Sequence, residues 1–226
     1  MEYMLHFSEP HSTLKGVPIV WAVDIGSIKR QNFAWCRISQ KEKADLDIKD
    51  GDDISDLTQG LADDLSSGRC VALGFECPLF IPVPQNPLLL TDARAGEAAH
   101  PWSAGAGCAA LATGLSECAW IFDKLHDLVR VDVRASVCWE DFFAGEANLF
   151  VWEAFVTGLA KGLSDSEDAR TAATSFIKNY PKIVEADTVE KDNDKPYYSL
   201  VGAALLRSDL TRDMSILHQK CIVIKS

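Results

Sequence analysis

The segment that most constrains the fold is an apolar run near the N-terminus that ends in an acidic residue. Pro18 to Ser27 reads PIVWAVDIGS, a β-branched and aromatic run that stops at Gly26. Such a continuous apolar run predicts a central strand buried on both faces. Asp24 would lie at the C-terminal end of that strand, where a carboxylate is costly to bury unless it is paired or binds a cation.

Two further acids occupy comparable positions. Arg69 to Leu79 (RCVALGFECPL) is a second apolar strand with Glu76 near its end, and Ala147 to Val156 (ANLFVWEAFV) is a third that contains Glu153. In an open α/β sheet, ligands gather beyond the carboxyl ends of the strands. Mg²⁺ prefers oxygen ligands, often one or two carboxylates. The three acids therefore predict a shared metal site, with a fourth ligand from Asp192 or Asp194 before the last long helix.

The remaining pattern predicts an α/β fold with a mixed sheet. Asn32 to Ile38 follows the first strand closely, so an antiparallel hairpin is the economical connection. Later strands alternate with helices and predict parallel crossover units. The chain is therefore expected to be a single domain over residues 1–226. The other expected elements are strands at Ala44–Lys49 and Ile216–Lys225, helices at Asp52–Ser67, Cys108–Val129, Ser164–Asn179 and Lys191–Leu210, and an irregular insertion over Phe80–Gly107.

Composition limits the class of protein. Of 226 residues, 47% are hydrophobic and 24% are charged, the balance of a globular protein. No run approaches the roughly 18 apolar residues of a membrane span, so a cytoplasmic protein with no membrane partner is expected. The seven cysteines form no CxxC pair, which predicts reduced thiols. The net charge of -11 opposes an extended basic surface for nucleic acid but allows a nuclease, because bound cations mask a cluster of carboxylates.

Several common active sites are excluded by their missing motifs. The five histidines show no HxH or HxxxH spacing, which argues against zinc. No GxSxG elbow and no GxxxxGK[ST] loop occurs, which removes the usual serine hydrolase and P-loop classes. Cys77, next to Glu76, has no neighbour in the sequence that would lower its pKa, so a core thiol is favoured over a nucleophile.

The chain resembles the ribonuclease H-like superfamily, and most closely a family of uncharacterised bacterial proteins predicted to be nucleases of that fold. The resemblance is carried by VDIGS in the first strand, GFECPLFIP in the fourth, VWEAF in the fifth and the Asp-containing start of the SLVGAAL helix, with an ARAGEAAHPW insertion after the fourth strand. These stretches cover most of the chain in the order of the family.

The resemblance implies a divalent-metal-dependent nuclease that hydrolyses phosphodiester bonds with Mg²⁺ or Mn²⁺. The substrate would be DNA or RNA, and a homodimer is left open. Lys29, Arg30, Arg94 and His100 are the candidate contacts for substrate phosphate. The superfamily more usually places its last acid inside the final helix, where this chain has Ser199. The implied metal ligands are Asp24, Glu76, Glu153, Asp192 and Asp194, of which Asp24, Glu76, Glu153 and Asp194 would be catalytic.

Two other functions remain open at this point. An ATP-dependent kinase of the actin-like superfamily also begins with a DxGS turn, although such enzymes usually duplicate the core, and 226 residues are few for two copies. A non-catalytic binding module with a degenerate metal site would fit the missing helix acid. Each acid also has an ordinary structural interpretation: Glu76 capped by turn amides, Glu153 facing solvent on an edge strand, and Asp192 and Asp194 stabilised by a helix dipole.

Overall fold

A mixed sheet forms the centre of the protein, seen here in a computed structural model that describes residues 16–40, 45–97, 101–157, 160–189 and 196–226. The first three strands are β1 (Ile19–Asp24), β2 (Ala34–Gln40) and β3 (Leu46–Gly51). They pair antiparallel, so the hairpin expected from the short gap after β1 is confirmed.

Parallel crossover units follow the antiparallel strands. Helix α1 (Ile54–Ser66) leads into β4 (Val71–Phe75), which pairs parallel with β1. The chain then leaves the sheet through the short strand β5 (Phe80–Pro82) before the long helix α2 (Gly105–Leu128).

The second half of the chain completes the sheet. It runs through β6 (Ala135–Ser136), α3 (Trp139–Phe143), β7 (Leu149–Phe155), α4 (Asp165–Asn179), β8 (Tyr197–Ser199), α5 (Leu200–Arg207) and β9 (Val223–Lys225). The strand order is β3-β2-β1-β4-β7-β6, with β9 also paired to β7 and all pairs after β1 parallel. The predicted α/β class with a mixed sheet flanked by helices is therefore confirmed.

The alternation of side chains along each strand divides the core between the two faces of the sheet. Trp21 and Phe75 point to the face covered by α1, α2 and α5. Ala22 and Trp152 point to the other face, where α4 lies with Phe176 packed on the Trp152 ring at 5.0 Å. The face of an acidic side chain at a strand end therefore follows from its position in the two-residue repeat.

Some predicted elements were wrong or shifted. The helix expected over Lys191–Leu210 is confirmed only as α5, because Tyr197–Ser199 forms β8 and pairs with β5 in a separate two-stranded sheet. This pairing also means that the insertion over Phe80–Gly107 is not wholly irregular. The final strand is limited to β9, after a 3-10 helix at Met214–His218. The elements β6 and α3 were not predicted.

Helix α2 has a composition that was not expected from the sequence. Among the described helices, it alone is long and apolar enough to cross a membrane, with a mean hydropathy of 1.2 over its best 18 residues. One such helix is weak support for a membrane span. Cys118, Ile121, Phe122 and Leu125 bury one side of α2 in the core shared with α1 and α5, so this side packs as a helix of the α/β fold.

Candidate metal centre

Two of the predicted acids meet at the carboxyl ends of neighbouring strands. Because β1 and β4 are parallel with Val23 opposite Phe75, Asp24 and Glu76 follow at the same level of the sheet. The backbone N–H of Glu76 donates to the Val23 carbonyl at 2.8 Å, which extends the pairing to the acid itself. Asp24 and Glu76 occupy the same phase of the repeat as Ala22 and therefore point toward α4.

Helix α4 brings a third acid to the same place. The helix begins after Ser164, whose hydroxyl accepts from the Glu167 N–H at 3.3 Å and so caps the first turn. Asp168 lies in the first turn and is 5% exposed. One carboxylate oxygen from each of Asp24, Glu76 and Asp168 lies within 4.8 Å of the others. We call these three residues the carboxylate triad.

Among the residues that the structure describes, Lys161 is the cation that contacts the carboxylate triad. Its Nζ lies 3.0 Å from Asp168 Oδ2 and 3.5 Å from Glu76 Oε1. The second Asp168 oxygen accepts from the Gly162 N–H at 2.6 Å. The second Glu76 oxygen, Oε2, is buried and has no hydrogen-bond partner. One ammonium group therefore faces three carboxylates and leaves part of their hydrogen-bonding capacity unused.

The electrostatics of the triad favour an added positive charge. Burial raises the pKa of Asp24 to about 7, although Lys161 opposes the shift. Burial and repulsion from Asp24 raise the pKa of Glu76 to about 8. Burial lowers the pKa of Lys161, but its hydrogen bond to Asp168 and the charge of Glu76 outweigh this effect and raise it overall. A bound cation would favour the ionised carboxylates and so reverse the shifts at Asp24 and Glu76.

A fourth acid approaches from α2 on the other face of the sheet. The Gly26 N–H donates to the Glu117 carboxylate, while Glu117 Oε2 is buried without a partner. Burial raises the pKa of Glu117 to about 7, and Asp24 adds to the shift. Glu117 thus ties α2 to the loop that follows Asp24. It was not predicted, although it is the one charged residue between Gly105 and Phe122.

Glu153 does not lie with the triad, so the prediction that it is a metal ligand is wrong. In the β4–β7 register Glu153 lies opposite Phe75, which points to the face away from α4. Its carboxylate is 2% exposed and receives hydrogen bonds from Arg94 to both oxygens, at 2.5 and 2.8 Å. The Leu79 N–H also donates to it. These partners satisfy the charge without a metal ion.

The predicted role of Arg94 as a contact for substrate phosphate is also wrong, because this side chain is buried and paired with carboxylates. Its guanidinium lies between Glu153 and Glu97, with a 2.8 Å hydrogen bond from Nε to Glu97 Oε1, and it stacks 4.5 Å from the Phe80 ring centre. Arg94 is 5% exposed. The ion pair between Arg94 and Glu153 holds the insertion against β7. A side chain buried and paired in this way cannot serve as an exposed contact for phosphate.

The other predicted site residues are placed as follows. Lys29 and Arg30 are exposed on a 3-10 helix directly after β1. Ser199 is buried and caps α5 by accepting from the Gly202 N–H at 3.1 Å, which is a structural role. His100, Asp192 and Asp194 lie outside the described residues.

No family model, curated protein or solved structure matches this chain. The triad offers only oxygen donors, as hard cations such as Mg²⁺ and Mn²⁺ require. Adjacent ligands of an octahedral Mg²⁺ are about 2.9 Å apart, so oxygens within 4.8 Å of one another would have to approach each other by at most about 2 Å to share one ion. The buried and unpartnered Glu76 Oε2 is the observation that best fits the binding of a cation.

All seven cysteines are free, as expected for reduced thiols. The Cys77 thiol is buried, and a hydrogen bond with Cys118 together with burial raises its pKa well above the usual value. A thiol held in its neutral form is a poor nucleophile, so the alternative role considered for Cys77 is not supported.

Proposed function

We propose that this protein is a ribonuclease H-like, divalent-metal-dependent nuclease with its metal ligands at Asp24, Glu76 and Asp168. The single observation that carries the proposal is the convergence of the triad, from two strand ends and a helix more than 90 residues further along the chain. The order of the sheet supports the fold assignment, because an antiparallel hairpin comes first and parallel strands follow. Asp168 would serve as the helix acid of the proposed site, from α4 rather than from the final helix that Ser199 caps.

A bound Mg²⁺ or Mn²⁺ would supply Lewis acidity and an activated water for hydrolysis of a phosphodiester. The triad would hold the cation between strand ends fixed by backbone pairing. The hydrogen bond from the Gly162 N–H restricts the Asp168 side chain, and the hydrogen bond from the Glu76 N–H to the Val23 carbonyl fixes the backbone from which the Glu76 side chain extends. A rigid ligand set lowers the reorganisation needed at the moment of reaction.

Cationic side chains near the triad would bind the substrate locally. The net charge of -11 disfavours nucleic acid over most of the surface. Lys29 and Arg30 follow β1 by a few residues and are exposed, so they can reach a phosphate near Asp24. Substrate binding should therefore depend on the metal and on these two side chains, and it should weaken steeply with salt.

Metal binding is the first test. Addition of Mn²⁺ at about 100 times its Kd should raise the free energy of unfolding by about 2.7 kcal/mol, measured by thermal shift and urea unfolding. Asp24→Asn and Asp168→Asn should abolish the increase. Asp127→Asn is the matched control, because it removes an exposed carboxylate at the end of α2. The absence of a metal-dependent increase in the unmodified protein would favour the non-catalytic binding module.

Activity is the second test. Cleavage of single-stranded and double-stranded DNA and RNA should require Mn²⁺ or Mg²⁺ and should be lost in Asp24→Asn. Lys29→Ala combined with Arg30→Ala should weaken substrate binding while leaving metal binding intact. Stabilisation by ATP together with no cleavage of any substrate would instead favour the kinase of the actin-like superfamily.

A further inference from the structure

Lys161 occupies the position that a cation would take beside the carboxylate triad. It lies in the segment directly before the Ser164 cap of α4, and its ammonium group pairs with both Asp168 and Glu76. The charge of Lys161 also acts on Asp24. The same ammonium group thus opposes the negative charge of all three triad members.

We propose that Lys161 is the resident counter-ion of the triad, which a divalent cation must displace, and that it thereby sets the metal affinity of the site. This inference rests on the proposed metal site. The side chain of Lys161 is 53% exposed, so it can move into solvent without a large conformational change. Lysine is a point charge on a flexible stem, and its half-exposed ammonium group can exchange the two carboxylates for water.

The contrast with Arg94 supports an exchangeable role for Lys161. The Arg94 guanidinium is buried and matches its carboxylates with several hydrogen bonds, so it has no route to solvent. The Lys161 ammonium leaves Glu76 Oε2 without a partner. It neutralises the triad only in part, enough to hold three carboxylates together without metal but not enough to satisfy them.

The consequence is a threshold for metal binding. A cation that enters the triad must first compete with the ammonium group, so Lys161 weakens the apparent affinity and keeps the ligands in place until metal arrives. Two ion pairs in which the lysine is half exposed and the carboxylates are largely buried correspond to an affinity penalty of at least about three- to tenfold. Removal of the positive charge should therefore tighten metal binding rather than weaken it.

The experiment measures the Kd for Mn²⁺ by electron paramagnetic resonance and calorimetry. Lys161→Met should bind Mn²⁺ about three- to tenfold more tightly than the unmodified protein. Lys161→Arg keeps the charge and should bind no more tightly than the unmodified protein. Lys182→Met is the matched control, because it removes a lysine paired with Glu185 at the opposite end of α4 and should leave the Kd unchanged.

The outcomes separate the two proposals. If the unmodified protein binds Mn²⁺ and Lys161→Met binds it no more tightly, Lys161 is not a competitor and the inference is wrong, while the metal site stands. Equal tightening in Lys182→Met, or in Lys161→Arg, would also overturn it. If neither the unmodified protein nor Lys161→Met binds Mn²⁺, the metal site itself fails and the inference fails with it.

Discussion

Replacement of Arg94 by Met should destabilise the protein strongly, because Arg94 holds two buried carboxylates. The side chains of Arg94, Glu97 and Glu153 are 3%, 3% and 2% exposed. Met preserves most of the apolar stem of the side chain but leaves both acids without their cation. Removal of one partner from a buried ion pair costs about 3 to 5 kcal/mol. This is a large part of the roughly 5 to 15 kcal/mol that stabilises a typical domain.

Urea unfolding followed by tryptophan fluorescence measures this loss. With a slope near 2 kcal/mol per molar urea, a loss of about 4 kcal/mol lowers the midpoint by about 2 M. Adding Glu153→Gln to Arg94→Met should restore at least about 1 kcal/mol, because it removes the orphaned charge. Arg170→Met is the control, since its pair with Asp50 is exposed and should be worth less than about 1 kcal/mol.

The reasoning is refuted if Arg94→Met costs no more than Arg170→Met. It is also refuted if Glu153→Gln gives no recovery in the Arg94→Met background, because the cost would then not come from an unpaired carboxylate. A stable Arg94→Met variant that lost nucleic-acid binding would restore the hypothesis, drawn from the sequence, that Arg94 contacts phosphate.

Three other measurements test the site and its supports. Without metal, the free energy of unfolding, measured with urea, should fall as pH rises from about 4 to about 8. The reason is that the raised pKa values of Asp24 and Glu76 make the folded state bind more protons than the unfolded state in this range. Saturating Mn²⁺ should flatten this dependence on pH. Ser164→Ala should cost about 1 kcal/mol by loss of the α4 cap, again in urea, whereas Ser164→Asp should be nearly neutral. Gly74→Val should lower the thermal midpoint by several degrees, because even a Cβ atom would lie 2.4 Å from the Trp152 ring, and an unchanged midpoint would contradict this packing.

The strand ends of β1 and β4 could be predicted from the sequence because each apolar run stops at a recognisable signal. Gly26 follows Asp24, and Pro78 follows Glu76, so both acids had to lie near the edge of a sheet. Adjacent parallel strands then bring such ends together. The meeting of Asp24 and Glu76 is thus a consequence of sequence pattern and topology, and the structure bears it out.

Glu153 shows why the third assignment was wrong. Its strand is apolar on both faces, so the sequence alone does not reveal which residues face α4. Trp152 faces α4, and the alternation of side chains then points Glu153 the opposite way. A shift of one residue in the pairing of β7 with β4 would move the Glu153 side chain from the face beside Arg94 to the face beside the triad. The sequence does not contain this register, which is known only from the pairing of the two strands.

Asp168 was missed for a different reason. It stands in a run of acids at the start of α4, where the helix dipole and the Ser164 cap give a sufficient structural explanation. A signal was nevertheless present, since Asp168, Ala172 and Phe176 are spaced by four residues and share one helical face. An acid on the apolar face of a helix is unusual, but Asp165, Ala169 and Ala173 have the same spacing, so the pattern narrows the candidates to Asp165 and Asp168 without choosing between them.

The carboxylate triad and the acids around Arg94 lie on opposite faces of one sheet and differ in how far their charge is satisfied. Both oxygens of Glu153 accept hydrogen bonds from Arg94, whose side chain is only 3% exposed. At the triad, Lys161 is half exposed and Glu76 Oε2 has no partner. Burial of a carboxylate is tolerated when its partners are complete, as at Arg94. The carboxylate triad, whose hydrogen bonds are incomplete, is therefore the group of acids that a further cation would stabilise.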